Sequence, residues 1–270
     1  MQCSRFCSSI FVTALALVLT IAAEAATPDP ALVSAVASPA RNPAAVARDA
    51  ARHPVEELTF FGLTPTMTVV EVWPGGGYWT DILGPYLAQR GHYYIALPVG
   101  DAEEDGGAKR LRERLAAEKD RLGTVHETSL GPGHFDLAPP GSADLVVTFR
   151  NLHNWMDGGY ADAALTGAFK ALKPGGILGI EEHRGRNDRP QDPKAKDGYV
   201  RQDFTIAMAK RAGFEFVGSS EVNANPRDTK DWVDGVWTLP PTLSQGDKDR
   251  ARYVAVGEAD NYVLKFRKPK

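Results

Sequence analysis

Short apolar segments alternate with helical segments from Met67 to the end of the chain, and this alternation restricts the fold more than any other feature. The apolar segments are rich in β-branched and aromatic residues, and helical segments between them end at glycines such as Gly91 and Gly123. The predicted strands have the sequences MTVVEV, HYYIALPV, TVHETS, ADLVVTF, ILGIEEH, EFVGSSEV and NYVLKFRKP. The alternation predicts an α/β fold, a doubly wound and mostly parallel seven-stranded sheet with helices on both faces.

The last two predicted strands are joined by a long segment, residues 223–250, in which the sequence indicates a loop and no helix. A strand pair without a crossover helix predicts an antiparallel last strand. Loops of this length in a compact domain tend to be functional or mobile. Because the segment carries Trp232 and Trp237, we expect it to cover a ligand pocket.

The first 25 residues have the pattern of a secretory signal peptide. Arg5 precedes an apolar run from Ile10 to Ala23, and Ala23-Glu24-Ala25 is an A-x-A cleavage site. The apolar run is short for a transmembrane helix, so the sequence predicts export, to a periplasm for example, without stable membrane insertion after cleavage. An uncut N-terminus that tethers the protein, with its domain facing the cytoplasm, is the alternative.

Composition and charge are those of a soluble globular protein. The net charge is −3, and no run of basic residues is long enough to indicate nucleic-acid binding. Both cysteines, Cys3 and Cys7, precede the predicted cleavage site, so a mature chain starting at Ala26 would have no disulfide and no thiol nucleophile. The expected partner is a small-molecule substrate, and the sequence leaves the oligomeric state open.

Residues 26–57 are predicted to form an N-terminal helical cap ahead of the main domain, residues 58–270. The segment NPAAVARDAARH is rich in helix formers, with Asn42 as the N-cap and Pro43 in the first turn. Pro54 is expected to end this helical segment.

The segment VVEVWPGGGYWTDIL, residues 69–83, predicts a strand, a glycine turn and a helix that starts at Gly77. Such a turn places backbone N–H groups and the positive end of a helix near a ligand. Glu71, near the end of the strand, can bind a hydroxyl or an ammonium group. Neither the dinucleotide fingerprint nor the phosphate loop is present in this segment.

The segment resembles the first motif of the class I S-adenosylmethionine-dependent methyltransferases, acid-x-G-x-G-x-G. Glu71 matches the acid, Gly75 and Gly77 match the last two glycines, and Trp73 replaces the first. The segments SADLVVTFRNLH, ALKPGGILGI and AKRAGFEFVGSSE resemble later parts of that family, in the family's order. Together these segments cover roughly Thr66 to Lys268. The chain is most similar to exported bacterial predicted methyltransferases with an E-x-W-P-G-G-G first motif.

This resemblance implies a Rossmann-like methyltransferase fold and S-adenosyl-L-methionine as cofactor. The implied cofactor-binding residues are Glu71, Trp73, Gly75, Gly76, Gly77 and Asp101. An acid about 20 residues after the glycine loop commonly holds the ribose. The second strand contains no acid, and Asp101 is the first candidate after it. Trp73 is expected either to stack on a ligand or to fill the pocket.

The segment RNLHNW follows the predicted fourth strand and should project into the cleft at its carboxyl end. His153 is the candidate general base or acceptor-orienting residue, and its structural alternative is a hydrogen bond within the loop. Arg150 and Asn151 are candidates to hold an acidic acceptor or the cofactor carboxylate. Glu182 and His183, at the end of the fifth strand, are secondary candidates.

Three histidines, His53, His153 and His183, lack the tight spacing of metal ligands, so no metal site is predicted. The favoured function is methyl transfer from S-adenosylmethionine to a small molecule. Because that cofactor is made in the cytoplasm, an exported enzyme must still obtain it. The alternative is an exported, non-catalytic binding protein on a methyltransferase fold.

Overall fold

The computed structural model describes residues 27–99 and 107–270. The predicted signal peptide, with Cys3 and Cys7, and the predicted cofactor residue Asp101 lie outside these ranges. Across the two described ranges, no helix combines the length and the apolar character needed to cross a membrane.

A single seven-stranded sheet forms the centre of the molecule, with strand order β3-β2-β1-β4-β5-β7-β6. Its strands are β1 (Thr68–Val72), β2 (His92–Pro98), β3 (Val125–Leu130), β4 (Ala143–Phe149), β5 (Leu172–His183), β6 (Glu215–Ser220) and β7 (Asn261–Arg267). Neighbouring strands are parallel except where β7 pairs with β5 and β6. The predicted fold class is confirmed, including the antiparallel last strand.

Helices cover both faces of this sheet. They are α1 (Pro30–Val36), α2 (Pro43–Val46), α3 (Asp49–Arg52), α4 (Pro54–Phe61), α5 (Thr80–Leu87), α6 (Gly107–Ala117), α7 (Lys119–Leu122), α8 (Leu152–Asp157), α9 (Ala161–Ala171), α10 (Gln202–Arg211) and α11 (Arg250–Val256). Val69 and Val70, adjacent in β1, belong to different apolar clusters. One cluster contains side chains of α9 and α10, and the other contains side chains of α1, α4 and α5. Adjacent strand residues therefore bury opposite faces, as a doubly wound sheet requires.

Several predicted helix boundaries are wrong. The preceding helix, α3, does end before Pro54, but Pro54 also begins the unpredicted helix α4, because proline suits the first turn of a helix. The helix after β1 begins at Thr80 and not at Gly77, whose φ of 81° does not fit a right-handed helix. The charged segment AKRLRERLAAEKDRLG, residues 108–123, whose pattern predicts one helix ended by Gly123, forms α6 and α7. The segment predicted as a loop, residues 223–250, contains a 3₁₀ turn at Gly235–Thr238 and leads into α11.

The N-terminal helices belong to the core. Leu58 and Phe61 of α4 are at most 1% exposed, and α4 packs on β5 and β7. The Phe61 ring lies against Gly179 of β5, where an added Cβ would approach the ring to 2.8 Å. Only glycine at position 179 permits this close contact. Helix α4 crosses the predicted boundary between cap and main domain, and it serves as one of the layers over the sheet.

Candidate active site

A cleft of about 610 Å³ opens at the carboxyl ends of β1, β4 and β5. Its walls also include α2, α3 and the segment that leads to β7. The sequence-predicted site residues that line it are Glu71, Trp73, Gly75, Gly76, Arg150, Asn151, His153 and the secondary candidate His183. Trp237 lines the cleft as expected, whereas Trp232 packs against Tyr253 in a separate apolar cluster.

The glycine loop after β1 turns in a left-handed backbone conformation at three of its residues. Trp73, Gly75 and Gly77 have φ values of 52°, 56° and 81°. A Cβ added at Gly75 or Gly76 would meet no atom within 4 Å, so this part of the loop opens onto the cleft. A Cβ at Gly77 would lie 2.3 Å from the Arg114 guanidinium. Gly77 therefore packs against α6 and does not line the cleft, which the motif alone could not show.

Glu71 is fully buried beneath this loop. Its Oε2 accepts hydrogen bonds from the Thr80 hydroxyl, at 2.9 Å, and from the Tyr93 hydroxyl. Its Oε1 has no hydrogen-bond partner among the described residues. Burial raises the pKa of Glu71 to about 7, although the bonds from Tyr93 and Thr80 act to lower it. Glu71 thus joins the start of α5 to β2 and keeps one oxygen unused at the edge of the cleft.

The Trp73 indole is fixed in place by polar and aromatic contacts. Its Nε1 donates to the Leu130 carbonyl at 3.0 Å, and its ring lies 6.4 Å from Trp155 and 6.5 Å from Tyr160. Trp73 follows β1 and Leu130 ends β3, with β2 between those strands. The indole therefore crosses the end of β2, next to the place where Asp101 was predicted to hold a ribose.

Asn151 connects two of the loops that form the cleft. Its Nδ2 lies within hydrogen-bond distance of the Val72 carbonyl (3.0 Å), the Trp73 carbonyl (3.2 Å) and the Thr148 hydroxyl (3.2 Å). The amide N–H groups are thus used to hold the β1 loop against the β4 loop. This arrangement makes Asn151 a positioning residue for the glycine loop.

His153 is paired with a buried carboxylate. Its Nδ1 lies 2.9 Å from Glu182 Oε1, and its backbone N–H donates to Glu182 Oε2 at 3.1 Å. Burial acts to raise the pKa of Glu182, but His153 and His183 outweigh burial and hold that pKa below its ordinary value. An ionised carboxylate only accepts hydrogen bonds, so Nδ1 carries a proton, and Nε2 makes no hydrogen bond to any described residue.

His183 lies beside His153, with the two ring centres 5.5 Å apart. Its Nδ1 is 2.7 Å from Asn261 Oδ1, and burial lowers its pKa to about 3, so the ring is neutral at physiological pH. His53 is elsewhere, hydrogen-bonded to Asn223. The prediction that no metal site exists rested on spacing along the chain. Parallel strands bring His153 and His183 together despite that spacing.

An arginine cluster, Arg48, Arg52 and Arg150, forms the cleft wall nearest the N-terminal helices. Glu258 accepts bonds from Arg48 at 2.6 and 2.9 Å and from Arg150 at 2.8 Å, and it lies 3.5 Å from Arg52. The sequence identified only Arg150, because the other two come from a segment interpreted as a cap.

This cluster has more positive than negative charge. Glu258 is the shared carboxylate, whereas burial raises the pKa of the neighbouring Glu181 to about 7, against the lowering effect of Arg150. Arg52 is 3% exposed, and its Nε has no hydrogen-bond partner among the described residues. The excess of guanidinium groups over carboxylates in this wall favours an anionic group in the cleft.

No protein-family model matches the chain, and no curated protein matches it in sequence. Among solved structures, a SAM-dependent methyltransferase from Aquifex aeolicus has a TM-score of 0.53 and 15% identity, over 89% of this chain and 98% of its own. Phosphoethanolamine N-methyltransferase 2 from Haemonchus contortus, in complex with S-adenosyl-L-methionine, has a TM-score of 0.53 and 16% identity, over 79% of this chain and 51% of its own.

A third similar structure is that of the [4+2]-cyclase SpnF, with a TM-score of 0.51 and 19% identity, over 78% of this chain and 79% of its own. These likenesses establish the fold, which is found in S-adenosylmethionine-dependent methyltransferases. Since one similar protein is named for a cyclisation, the fold alone does not assign the reaction.

Proposed function

We propose that the protein is an S-adenosylmethionine-dependent methyltransferase that acts on a small molecule within this cleft. One observation carries the proposal: the open glycine loop and the His153–Glu182 pair line or adjoin the same cleft. The fold of the similar methyltransferases and the first-motif resemblance around Glu71 support it.

The residues at the glycine loop fit one end of the cofactor. Gly75 and Gly76 leave open space at the loop, and Glu71 lines the same cleft. When bound, S-adenosylmethionine supplies an electrophilic methyl group. Asp101 and the Trp73 indole would contact the nucleoside part of the cofactor, and the indole would be a fixed wall of that part of the site. The arginine cluster would hold a carboxylate, either that of the cofactor or that of the acceptor.

His153 has the geometry of a general base. While the acceptor atom gains the methyl group, its proton would pass to His153 Nε2, and Glu182 would stabilise the imidazolium that forms. Asn151 would keep the glycine loop in register with the β4 loop, because methyl transfer in line with the leaving sulfur depends on positioning. The cleft volume suits a cofactor together with a small acceptor.

The test is calorimetric titration of the purified protein with S-adenosylhomocysteine and S-adenosylmethionine. Gly76→Val should weaken binding by at least about tenfold, a loss of roughly 1.4 kcal/mol, because the new side chain would project into the cleft. The position has no positive φ and no atom near its Cβ, so the thermal unfolding midpoint should stay unchanged. Gly218→Val, in an equally open position on β6, is the matched control.

Absence of heat with the unsubstituted protein, or equal binding by the Gly76→Val variant, would contradict the cofactor assignment. His153→Asn should preserve S-adenosylhomocysteine binding. It should lower methyl transfer to a panel of small hydroxy, thiol and amino acids by about 10²–10⁴-fold.

The second candidate is a binding protein without turnover. The observation that favours it is the Trp73 indole, which already covers the end of β2. S-adenosylhomocysteine binding without transfer to any acceptor, together with tighter binding by a Trp73→Gly variant, would support this candidate. Weaker binding by that variant would support the indole as a wall of the cofactor site.

A further inference from the structure

His153, Glu182 and His183 converge at the carboxyl ends of β4 and β5. Each offers one ligand atom, and these three atoms lie within 4.8 Å of one another. His153 and Glu182 are buried, and both histidines line the cleft. Imidazole nitrogens and a carboxylate oxygen are the common protein ligands of zinc.

Both imidazole rings are held through Nδ1. Glu182 accepts from His153 and Asn261 accepts from His183, at 2.9 and 2.7 Å. Metal-binding histidines are usually held in this way, through the nitrogen that does not bind the metal. Among the hydrogen bonds of the described residues, none reaches the Nε2 of either ring. Both Nε2 atoms are therefore available to a ligand in the cleft.

The distance between the two imidazole rings is close to that between two imidazoles bound to one metal ion. Two imidazoles that coordinate one ion tetrahedrally at zinc–nitrogen distances have ring centres roughly 5 Å apart. The centres of His153 and His183 are 5.5 Å apart. A small side-chain adjustment would thus bring both Nε2 atoms into coordination.

We propose that His153 and His183 bind one divalent transition-metal ion, with Zn²⁺ as the representative. The two nitrogen ligands favour zinc, copper or nickel over magnesium and calcium, which prefer oxygen. Glu182 orients His153 through Nδ1, and the two Nε2 atoms are the proposed protein ligands. The remaining coordination positions face the cleft, where an oxygen, nitrogen or sulfur atom of a small molecule can bind.

In relation to the proposed methyl transfer, the metal would replace His153 as the group that activates the acceptor. A coordinated Nε2 cannot take a proton, and a metal-bound hydroxyl or thiol loses its own proton more readily. This role rests on the proposed function, whereas metal binding itself does not.

The experiment titrates the full-length, tag-free Cys3→Ser/Cys7→Ser variant with Zn²⁺ in a calorimeter after dialysis against a chelator. The serine substitutions remove the two thiols as competing ligands. We expect one ion per chain, and a Co²⁺-substituted sample should show the visible absorption of a nitrogen-coordinated, low-symmetry site. His183→Gln and His153→Gln should each weaken binding by more than the 10–100-fold expected of Glu182→Gln, which removes an orienting group.

The matched control is His126→Gln, since His126 is an exposed histidine that stacks on Tyr94 outside the cleft. Thermal unfolding of each variant shows whether it is folded, and the two single variants provide independent tests. Failure of the parent to bind an ion, or full affinity in either cleft variant, would overturn the proposal. The metal titration uses neither cofactor nor acceptor. A negative result would therefore overturn metal binding only, and methyl transfer with His153 as the base would remain the proposed function.

Discussion

At the scale of single residues, Glu71 makes the stability of the protein depend on pH. Burial raises its pKa from 4.5 to about 7, so the folded chain binds this proton more strongly than the unfolded chain. The stabilisation is complete below pH 4.5 and is lost as the pH rises through about 7. The buried Glu181 adds a loss in the same direction, since its pKa is also raised to about 7.

Glu71→Gln should remove part of this dependence. From about pH 5 to about pH 8, the free energy of unfolding of the parent should fall more than that of the variant, by a difference on the order of 3 kcal/mol at most. Denaturant unfolding across that range measures the difference, and the exposed Glu56→Gln is the control. Identical pH profiles for parent and Glu71→Gln would show that Glu71 is ionised in the folded protein.

The sequence predicted which residues gather at the cleft better than it predicted what they contact. Glu71 lies near the end of β1, and Gly75, Gly76 and His153 follow strand ends, so a pattern along the chain was enough to place them. The contact between His153 and Glu182 joins α8 to β5, and no spacing along the chain encodes it. The direction of the Trp73 indole depends on a left-handed backbone that tryptophan rarely adopts.

At the scale of elements, α4 should contribute strongly to stability. Phe61→Ala should lower the free energy of unfolding by about 3–5 kcal/mol, because it removes a buried ring from the contact with Gly179 and Phe149. Urea denaturation gives the value. Val33→Ala, on the exposed side of α1, is the control and should cost little. A similar small loss for both variants would mean that the N-terminal helices are only loosely attached.

Elements with strong local patterns were predicted from sequence, and those set by context were not. The apolar runs of β1 and β4 predict buried strands from the local sequence alone. Helix α11 was missed because it follows a long polar segment, and its N-cap Asp249 has a left-handed backbone. The start of α5 was placed too early because Gly77, whose conformation excludes it from the helix, was counted as helical.

At the scale of the whole molecule, we propose export directed by residues 1–25. A reporter enzyme active only outside the cytoplasm, fused after residue 40, should be active with the complete N-terminus. The same fusion lacking residues 2–25 should lose activity, because the apolar run and the cleavage pattern are gone. Equal activity of the two fusions, or activity of only a cytoplasmic reporter at this position, would contradict export.

The position of β7 determines when the sheet can be completed during synthesis or translocation. The last strand of the chain lies between β5 and β6, and β6 pairs with no other strand of the sheet. Lys265 of β7 also donates to the Phe60 carbonyl of α4 at 2.9 Å. A ribosome, or a translocation channel, releases β7 after the other six strands of the sheet. Helix α4 and β6 therefore make these contacts only once β7 has emerged, and until then the sheet has a gap between β5 and β6.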